Sequence, residues 1–209
     1  MADDPDTDAD ADPGDDRSDL DHAATAIDRG EVVAYPTETI YGLGADALDA
    51  EAVSRVFALK GRSSEKPISM GLRSIEAVDE YTSPTTREEQ FLETFLPGPV
   101  TVLLERHRTI PDILTAERDR VGVRVPDHDL ARALARRCGP VTATSANRSG
   151  GPNARRVDDL DPEIHEGVTA VLDGGPTRGV ESTVVDVDGN EILRRGAGAD
   201  AIEEWLAEH

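Results

Sequence analysis

Lysine is almost missing from this chain: of 209 residues only Lys60 and Lys66 are lysine, against twenty arginines. Cysteine occurs once, at Cys138, which excludes an internal disulfide and any zinc site built on several cysteines, and fits a reducing compartment. Aromatic residues make up 3%, too few for the stacking surfaces that grip single-stranded RNA. No apolar run approaches the roughly 20 residues needed to span a bilayer, and the first residues lack a basic-then-apolar leader pattern. The expectation is a soluble, cytoplasmic protein with no membrane partner. Positive charge is scarce altogether, with 22 Lys and Arg against 43 Asp and Glu and a formal net charge of −21. That balance argues against tight, purely electrostatic binding to nucleic acid, which depends on neutralising phosphates. Residues 1–21 hold ten aspartates, yet the rest of the chain is acidic too. With arginine kept and lysine nearly gone, the composition fits a salt-rich cytoplasm, where screening relieves the self-repulsion of an acidic fold.

Scarcity makes the position of the two lysines informative. Both fall in Lys60-Gly61-Arg62-Ser63-Ser64-Glu65-Lys66-Pro67. Lysine is a compact, strongly hydrated point charge with three rotatable donors, suited to a phosphate, so this segment is a candidate anion grip. The competing reading is two surface lysines beside a helix end, where a last-turn lysine also suits the helix dipole.

Along the chain, residues 1–17 have nothing to bury and read as a disordered acidic tail. Residues 18–209 read as one domain. Ser18 is placed as the cap of a helix ending at Gly30, and Glu31–Tyr35 reads as a buried strand ended by Pro36. A helix from about Asp49 closes at Lys60 with Gly61 as its left-handed cap. Ile68–Leu72 reads as a strand, Ser74–Tyr81 and Thr86–Leu96 as helices, and Pro97-Gly98-Pro99 as a hard stop. Val100–Glu105 and Val121–Pro126 read as strands, Asp129–Cys138 as a helix and Val141–Thr144 as a strand entering a Gly-rich loop. Val168–Leu172, Ser182–Val187 and Glu191–Arg194 read as strands, the last two joined by a turn at Asp188-Gly189, and Ala201–Ala207 as a closing helix. Strands and helices alternate first and hairpins follow, which predicts an α/β fold: a single three-layer domain around a twisted mixed sheet.

Familiar catalytic signatures are absent. Gly42-Leu43-Gly44-Ala45-Asp46-Ala47 fits a loose dinucleotide pattern, but the strand ends at Pro36, so the glycines do not join strand to helix directly. There is no Walker loop, GxSxG, HExxH or metal-spaced histidine cluster. What remains is a set of polar residues where loops leave strands: Thr37, Arg124, Thr144, Ser145, Asn147, Ser182 and Arg194. Arg124, alone among valines, must reach out of an apolar strand or pair with something. Cations plus hydroxyls without an acid–base pair suit nucleotidyl transfer, in which the protein positions groups and neutralises charge, usually with Mg2+.

Six segments occur in order: Pro36-Thr37-Glu38-Thr39-Ile40-Tyr41-Gly42-Leu43-Gly44, Lys60-Gly61-Arg62, Pro97-Gly98-Pro99, Val123-Arg124-Val125-Pro126, Ser145-Ala146-Asn147 and Val180-Glu181-Ser182-Thr183. Together they resemble the YrdC-like threonylcarbamoyl-AMP synthases, over residues 18 to 207. The resemblance, in the short form with one catalytic domain and joined to the acidic composition, points to a halophilic archaeal member. It implies a nucleotidyltransferase that condenses L-threonine, bicarbonate and ATP, with Mg2+, to threonylcarbamoyl-AMP and pyrophosphate, for tRNA threonylcarbamoyl-adenosine modification. The implied partners are these substrates and the downstream tRNA threonylcarbamoyl-transfer machinery, with weak or no direct tRNA binding. It implies Lys60 and Arg62 as catalytic cations on the ATP phosphates, Thr115, Ser145, Asn147 and Arg194 also on the nucleotide, and Thr37, Arg124, Thr144 and Ser182 toward threonine. No protein side chain is assigned to the metal.

Three departures accompany it: Gly71 where many archaeal members carry histidine, Leu96 where tryptophan is frequent before Pro-Gly-Pro, and an end at His209 without the extra C-terminal domain of longer members. The alternative function is a YrdC-like module without synthase activity that binds RNA or the ribosome. It would need a broad basic face with aromatics, against the composition.

Overall fold

In a computed structural model, which describes residues 13–209, the described residues form seven α-helices and one nine-stranded sheet. The helices are α1 (Pro13–Asp28), α2 (Ala50–Lys60), α3 (Thr86–Phe95), α4 (Asp112–Thr115), α5 (Asp129–Cys138), α6 (Pro162–Gly167) and α7 (Ala199–Glu208). The strands are β1 (Val33–Tyr35), β2 (Gly42–Gly44), β3 (Ser69–Gly71), β4 (Val100–Glu105), β5 (Arg120–Arg124), β6 (Val141–Ser145), β7 (Ala170–Val171), β8 (Thr183–Asp186) and β9 (Glu191–Arg194).

Local chemistry explains the boundaries that matter for the site. The Asp49 carboxylate accepts from Glu51 N at 2.8 Å to start α2, and Gly61 ends it at φ 57°, a conformation that costs other residues strain. Thr85 and Glu88 close a reciprocal capping box at the start of α3. Ser18 is no cap: α1 begins at Pro13, so Ser18 lies within the helix. The acidic tail expected over residues 1–17 lies outside the described residues up to Asp12. Ser74 precedes a 3-10 helix, Ile75–Glu80, rather than an α-helix.

The sheet runs β7-β1-β2-β6-β3-β5-β4-β8-β9, with parallel pairs β1/β7, β3/β5 and β4/β8 among antiparallel ones. Strand alternation divides its two faces. Ala34, Leu43, Met70, Val102, Leu104, Val121 and Val123 turn one way, into the main core with α2, α3, α4, α6 and α7. Trp205 of α7 meets Phe91 of α3 edge-on, ring centroids 4.9 Å apart, and fixes the last helix there. Val33, Tyr35 and Val141 turn the other way, into a smaller core with Leu20 and Ile27 of α1 and Leu134 of α5. The third layer is therefore partial: α1 and α5 cover the β7–β1 end, and the same face of β3, β5, β4 and β8 is left open to form the wall of a cleft.

Candidate active site

The open face carries alternate residues of neighbouring strands: Ser69 and Gly71 of β3, Thr101 and Leu103 of β4, Arg120, Gly122 and Arg124 of β5, Ala143 and Ser145 of β6, and Val184 of β8. With the loops after β1, α2 and β6 they enclose about 560 Å³, within the size range of small-molecule sites. Glycine deepens the floor. A Cβ on Gly122 would overlap Ser69 Oγ and sit 3.0 Å from Thr101 Cγ2, so a side chain there would require Ser69 to move.

Charge is what sets this cavity apart. Lys60, Arg62, Lys66, Arg118, Arg120, Arg124 and Arg194 line it, with Glu181 as its one carboxylate among the described residues. The Glu181 carboxylate lies 3.4 Å from Arg194 and accepts from Asn153 Nδ2 at 3.3 Å. Arg62 donates to the Lys66 and Pro67 carbonyls at 3.1 and 3.0 Å, which holds its guanidinium across the 60–67 segment. Burial, and then the charge of Arg194, push the Arg62 pKa down. Two guanidiniums crowded in this way gain from any anion that enters between them.

Lys60 lines the cavity, but its ammonium is already engaged by protein oxygens. It is 1% exposed. Its Nζ donates to the Ser145 carbonyl, to Asn147 O at 2.8 Å and to Asn147 Oδ1 at 3.1 Å. Burial first, and then the Arg62 charge, lower its pKa to about 8, with Glu181 opposing. Lys60 thus ties the end of α2 to the turn after β6. Ser145 Oγ donates to Asn147 Oδ1 at 2.6 Å, and Asn147 Nδ2 to Gly151 O at 2.6 Å, so the Gly-rich loop is drawn onto the same knot.

Across the cleft, the Thr37 hydroxyl donates to Ile40 O at 2.7 Å and accepts from the Thr39 and Ile40 amides, a side-chain turn that fixes the loop after β1. Arg124 points into the cleft and also pairs with Glu38 at 2.9 Å. Arg194 donates through Nε and Nη2 to Ser182 O and through Nη2 to Ser182 Oγ, and that hydroxyl also meets Thr101 Oγ1 at 3.0 Å.

Of the ten residues expected at the site, Thr37, Lys60, Arg62, Arg124, Thr144, Ser145, Asn147, Ser182 and Arg194 line this one cavity. Thr115 does not. It is fully buried at the end of α4, with its hydroxyl donating to Asp112 O at 3.3 Å, because that short helix turns the hydroxyl back onto its own first turn. The structure thus does not bring Thr115 to the cavity with the other nine. Sequence reading missed Ser69, Arg118, Arg120 and Glu181 as cavity residues. Arg120 had a signal: in Arg120-Val121-Gly122-Val123-Arg124, period-two alternation sends both arginines to one face. Gly71, the departure noted above, also lines the cavity, where a Cβ would meet Tyr35 Oη and Val141 Cγ2 at 3.5 Å.

The family of Sua5, YciO and YrdC proteins, described as "Telomere recombination", matches residues 25–196. The chain belongs to this family. It is 39% identical over 192 residues to the threonylcarbamoyl-AMP synthase of Pyrococcus abyssi, covering 89% of this chain and 56% of that protein. It is 38% identical over 181 residues to the Bacillus subtilis threonylcarbamoyl-AMP synthase, covering 84% and 52%. Sua5 of P. abyssi, crystallised with L-threonine, superposes at a TM-score of 0.85 and 37% identity over 90% of this chain and 57% of that one. The chain thus spans about half the length of these relatives. Family membership settles the fold of the described domain, and no helix among the described residues is long and apolar enough to cross a membrane.

Proposed function

We propose that this chain is an L-threonylcarbamoyladenylate synthase. It condenses L-threonine, bicarbonate and ATP to threonylcarbamoyl-AMP and pyrophosphate, the activated intermediate for tRNA threonylcarbamoyl-adenosine. The observation that carries the reading is the cavity's charge: seven cations and one carboxylate inside a chain of net charge −21. Such a site is built for an anion of high charge. The names of the relatives, and the L-threonine held by the P. abyssi protein, support the choice of substrates.

The chemistry suits the groups present. The ammonium group of threonine and bicarbonate combine to a carbamate, with loss of water and a proton. A carbamate oxygen then attacks the α-phosphorus, the α–β phosphoanhydride bond breaks, and pyrophosphate leaves. A carbamate is already an anion, so the site needs in-line placement and positive charge more than a strong base. Arg62 and Arg194 flank the place for the triphosphate, with the Lys60-bound turn of Ser145–Asn147 beside it. Arg124 and Ser182, on adjoining parts of the open face, address the amino acid, with Thr37 and Thr144 beside them.

Among the described residues no group of three or more His, Cys, Asp or Glu could hold a metal ion. With Glu181 alone in the cavity, the donor set fits a Mg2+ that arrives on the nucleotide phosphates. When bound, it would neutralise charge on the leaving pyrophosphate.

The test is pyrophosphate release by the pure protein, with each substrate omitted in turn. Release is expected only when ATP, L-threonine and bicarbonate are all present. Equal release without threonine, or none at all, sinks the reading.

A further inference from the structure

Arg124 is gripped from behind. Its Nη2 lies 2.9 Å from Glu38 Oε1 and donates to Thr39 Oγ1 at 2.8 Å. The two side chains of the ion pair are only 9% and 8% exposed. Among the described residues, both Glu38 oxygens and Arg124 Nε are buried without a hydrogen-bond partner, while Arg124 Nη1 has no hydrogen bond and is not among the buried atoms. One nitrogen of the guanidinium is therefore anchored and another is left facing the cleft.

A buried carboxylate is costly unless paired and hydrogen-bonded. Among the described residues Glu38 has no donor besides the Arg124 contact, and it does not line the cavity. Its electrostatic surroundings are Arg124, Tyr35, which its charge reaches, and His128, whose pKa burial lowers while Glu38 opposes that shift. The backbone that presents Glu38 is itself fixed. The Thr37 hydroxyl closes the turn over residues 37–40, Thr39 O accepts from Gly179 N at 2.7 Å, and Tyr41 N donates to Ala154 O at 3.0 Å. A rigid loop thus delivers a fixed negative charge to the back of one cleft arginine.

We propose that Glu38 is a positioning residue. By holding Nη2 of Arg124 together with Thr39, it presents Nη1 to the α-carboxylate of the amino-acid substrate, and so makes the site select for a free carboxylate. This rests on the reading of Arg124 as the amino-acid grip. A flexible arginine would spread its charge over several positions, whereas a pinned one meets a carboxylate with its geometry already set.

The experiment compares binding of L-threonine with binding of L-threoninol, which keeps the amine and hydroxyl but lacks the carboxylate. Calorimetry is run on the full chain saturated with α,β-methylene-ATP, for wild type, Glu38→Gln and Arg124→Ala. Wild type is expected to favour threonine by about tenfold or more, the size of a charge-assisted hydrogen bond. In Glu38→Gln that preference should collapse toward the Arg124→Ala value, with affinity for the ATP analogue unchanged. A merely structural Glu38 would weaken both ligands and the nucleotide together, and that result, or an unchanged preference, overturns the proposal. If Glu38→Gln does not fold, Thr39→Val removes the second tether of Arg124, along with the 2.8 Å contact between the Thr39 and Thr37 hydroxyls, and carries the same comparison; an unchanged preference again overturns the proposal. A wild type that binds threonine no better than threoninol overturns the role of Arg124 itself, and this inference with it; absent pyrophosphate release would instead count against the synthase reading.

Discussion

Lys60 shows how one residue can be located correctly by sequence and given an incomplete role. Its rarity drew attention to the segment, and its place in a last turn suggested a side chain reaching outward. Nothing local announced that residues 145–147, some 85 positions away, would bring carbonyls to its ammonium. As a last-turn lysine it would add at most about 1 kcal/mol to its helix. As the buried donor to the Ser145 and Asn147 oxygens, its loss strands two or more acceptors at about 1–3 kcal/mol each. Lys60→Ala should therefore lower the melting temperature by about 6–12 °C, as expected for ~3 kcal/mol in a chain of this size. It should also weaken nucleotide binding through the loosened Ser145–Asn147 turn. Calorimetry showing a shift below about 2 °C would return Lys60 to the surface role. Its pKa adds a sign. The folded value is about 8, against 10.5 ordinarily. Between those values the unfolded chain holds the proton and the folded chain does not, so stability from this site rises with pH across that window and its burial cost is fully present below it. The unfolding free energy of wild type relative to Lys60→Met, from denaturant titrations, should rise by about 3 kcal/mol from pH 8 to pH 10.5; a constant difference would contradict the burial.

At the level of elements, β5 organises the site because its five residues serve both faces of the sheet. Val121 and Val123 enter the core while Arg120, Gly122 and Arg124 form the cleft floor. Arg120 itself is drawn back to Glu88 of α3, Asp186 of β8 and Leu103 O of β4, so the floor is braced from three elements. Gly122 is where the brace has no slack. Gly122→Ala should push Ser69 and Thr101 apart, cost about 1–3 kcal/mol as overpacking does, and raise KM by narrowing the floor. Unchanged stability and KM together would mean that β3 can yield there. This two-sidedness was legible as alternation, and α2, α5, β4 and β9 were legible from caps and runs of strand formers. The start of α1 was not, since Ser18 is a plausible cap that the helix simply runs through. Nor was β2, Gly42–Gly44, whose two glycines argue against a strand; its pairing with β1 and β6 makes it one, and such context outweighs propensity. The helix α6 carries one buried residue, Ile164, too little for a periodic signal. The site was legible where a residue was out of place in its own segment, as Arg124 was among valines. It was illegible where the role depends on a distant partner, as for Glu38 with Arg124 and Glu181 with Asn153.

For the whole molecule, the decisive feature is the separation of charge. Among the described residues seven cations line the cleft with one carboxylate, although the chain holds 43 Asp and Glu against 22 Lys and Arg, so the cleft does not share the chain's acidic balance. A ligand-sized region of positive potential can persist in so acidic a chain because low-dielectric walls focus local charge, while distant carboxylates act through solvent and are screened. Two consequences differ in reach. The cleft contacts are short-range and survive salt, as buried pairs do. The repulsion among acidic groups acts over longer distances, and it weakens as the Debye length falls from about 10 Å at about 0.1 M salt to about 3 Å at about 1 M. The melting temperature should therefore climb steadily as KCl is raised over that range, and the unliganded protein should gain more than the nucleotide-bound one, in which added anionic charge is already offset by the cleft arginines. A melting temperature that stays flat or falls with KCl would mean that the formal charge is not being felt as repulsion, because carboxylates facing their own arginines, as in the Arg120, Arg132 and Arg195 pairs, already cancel it locally.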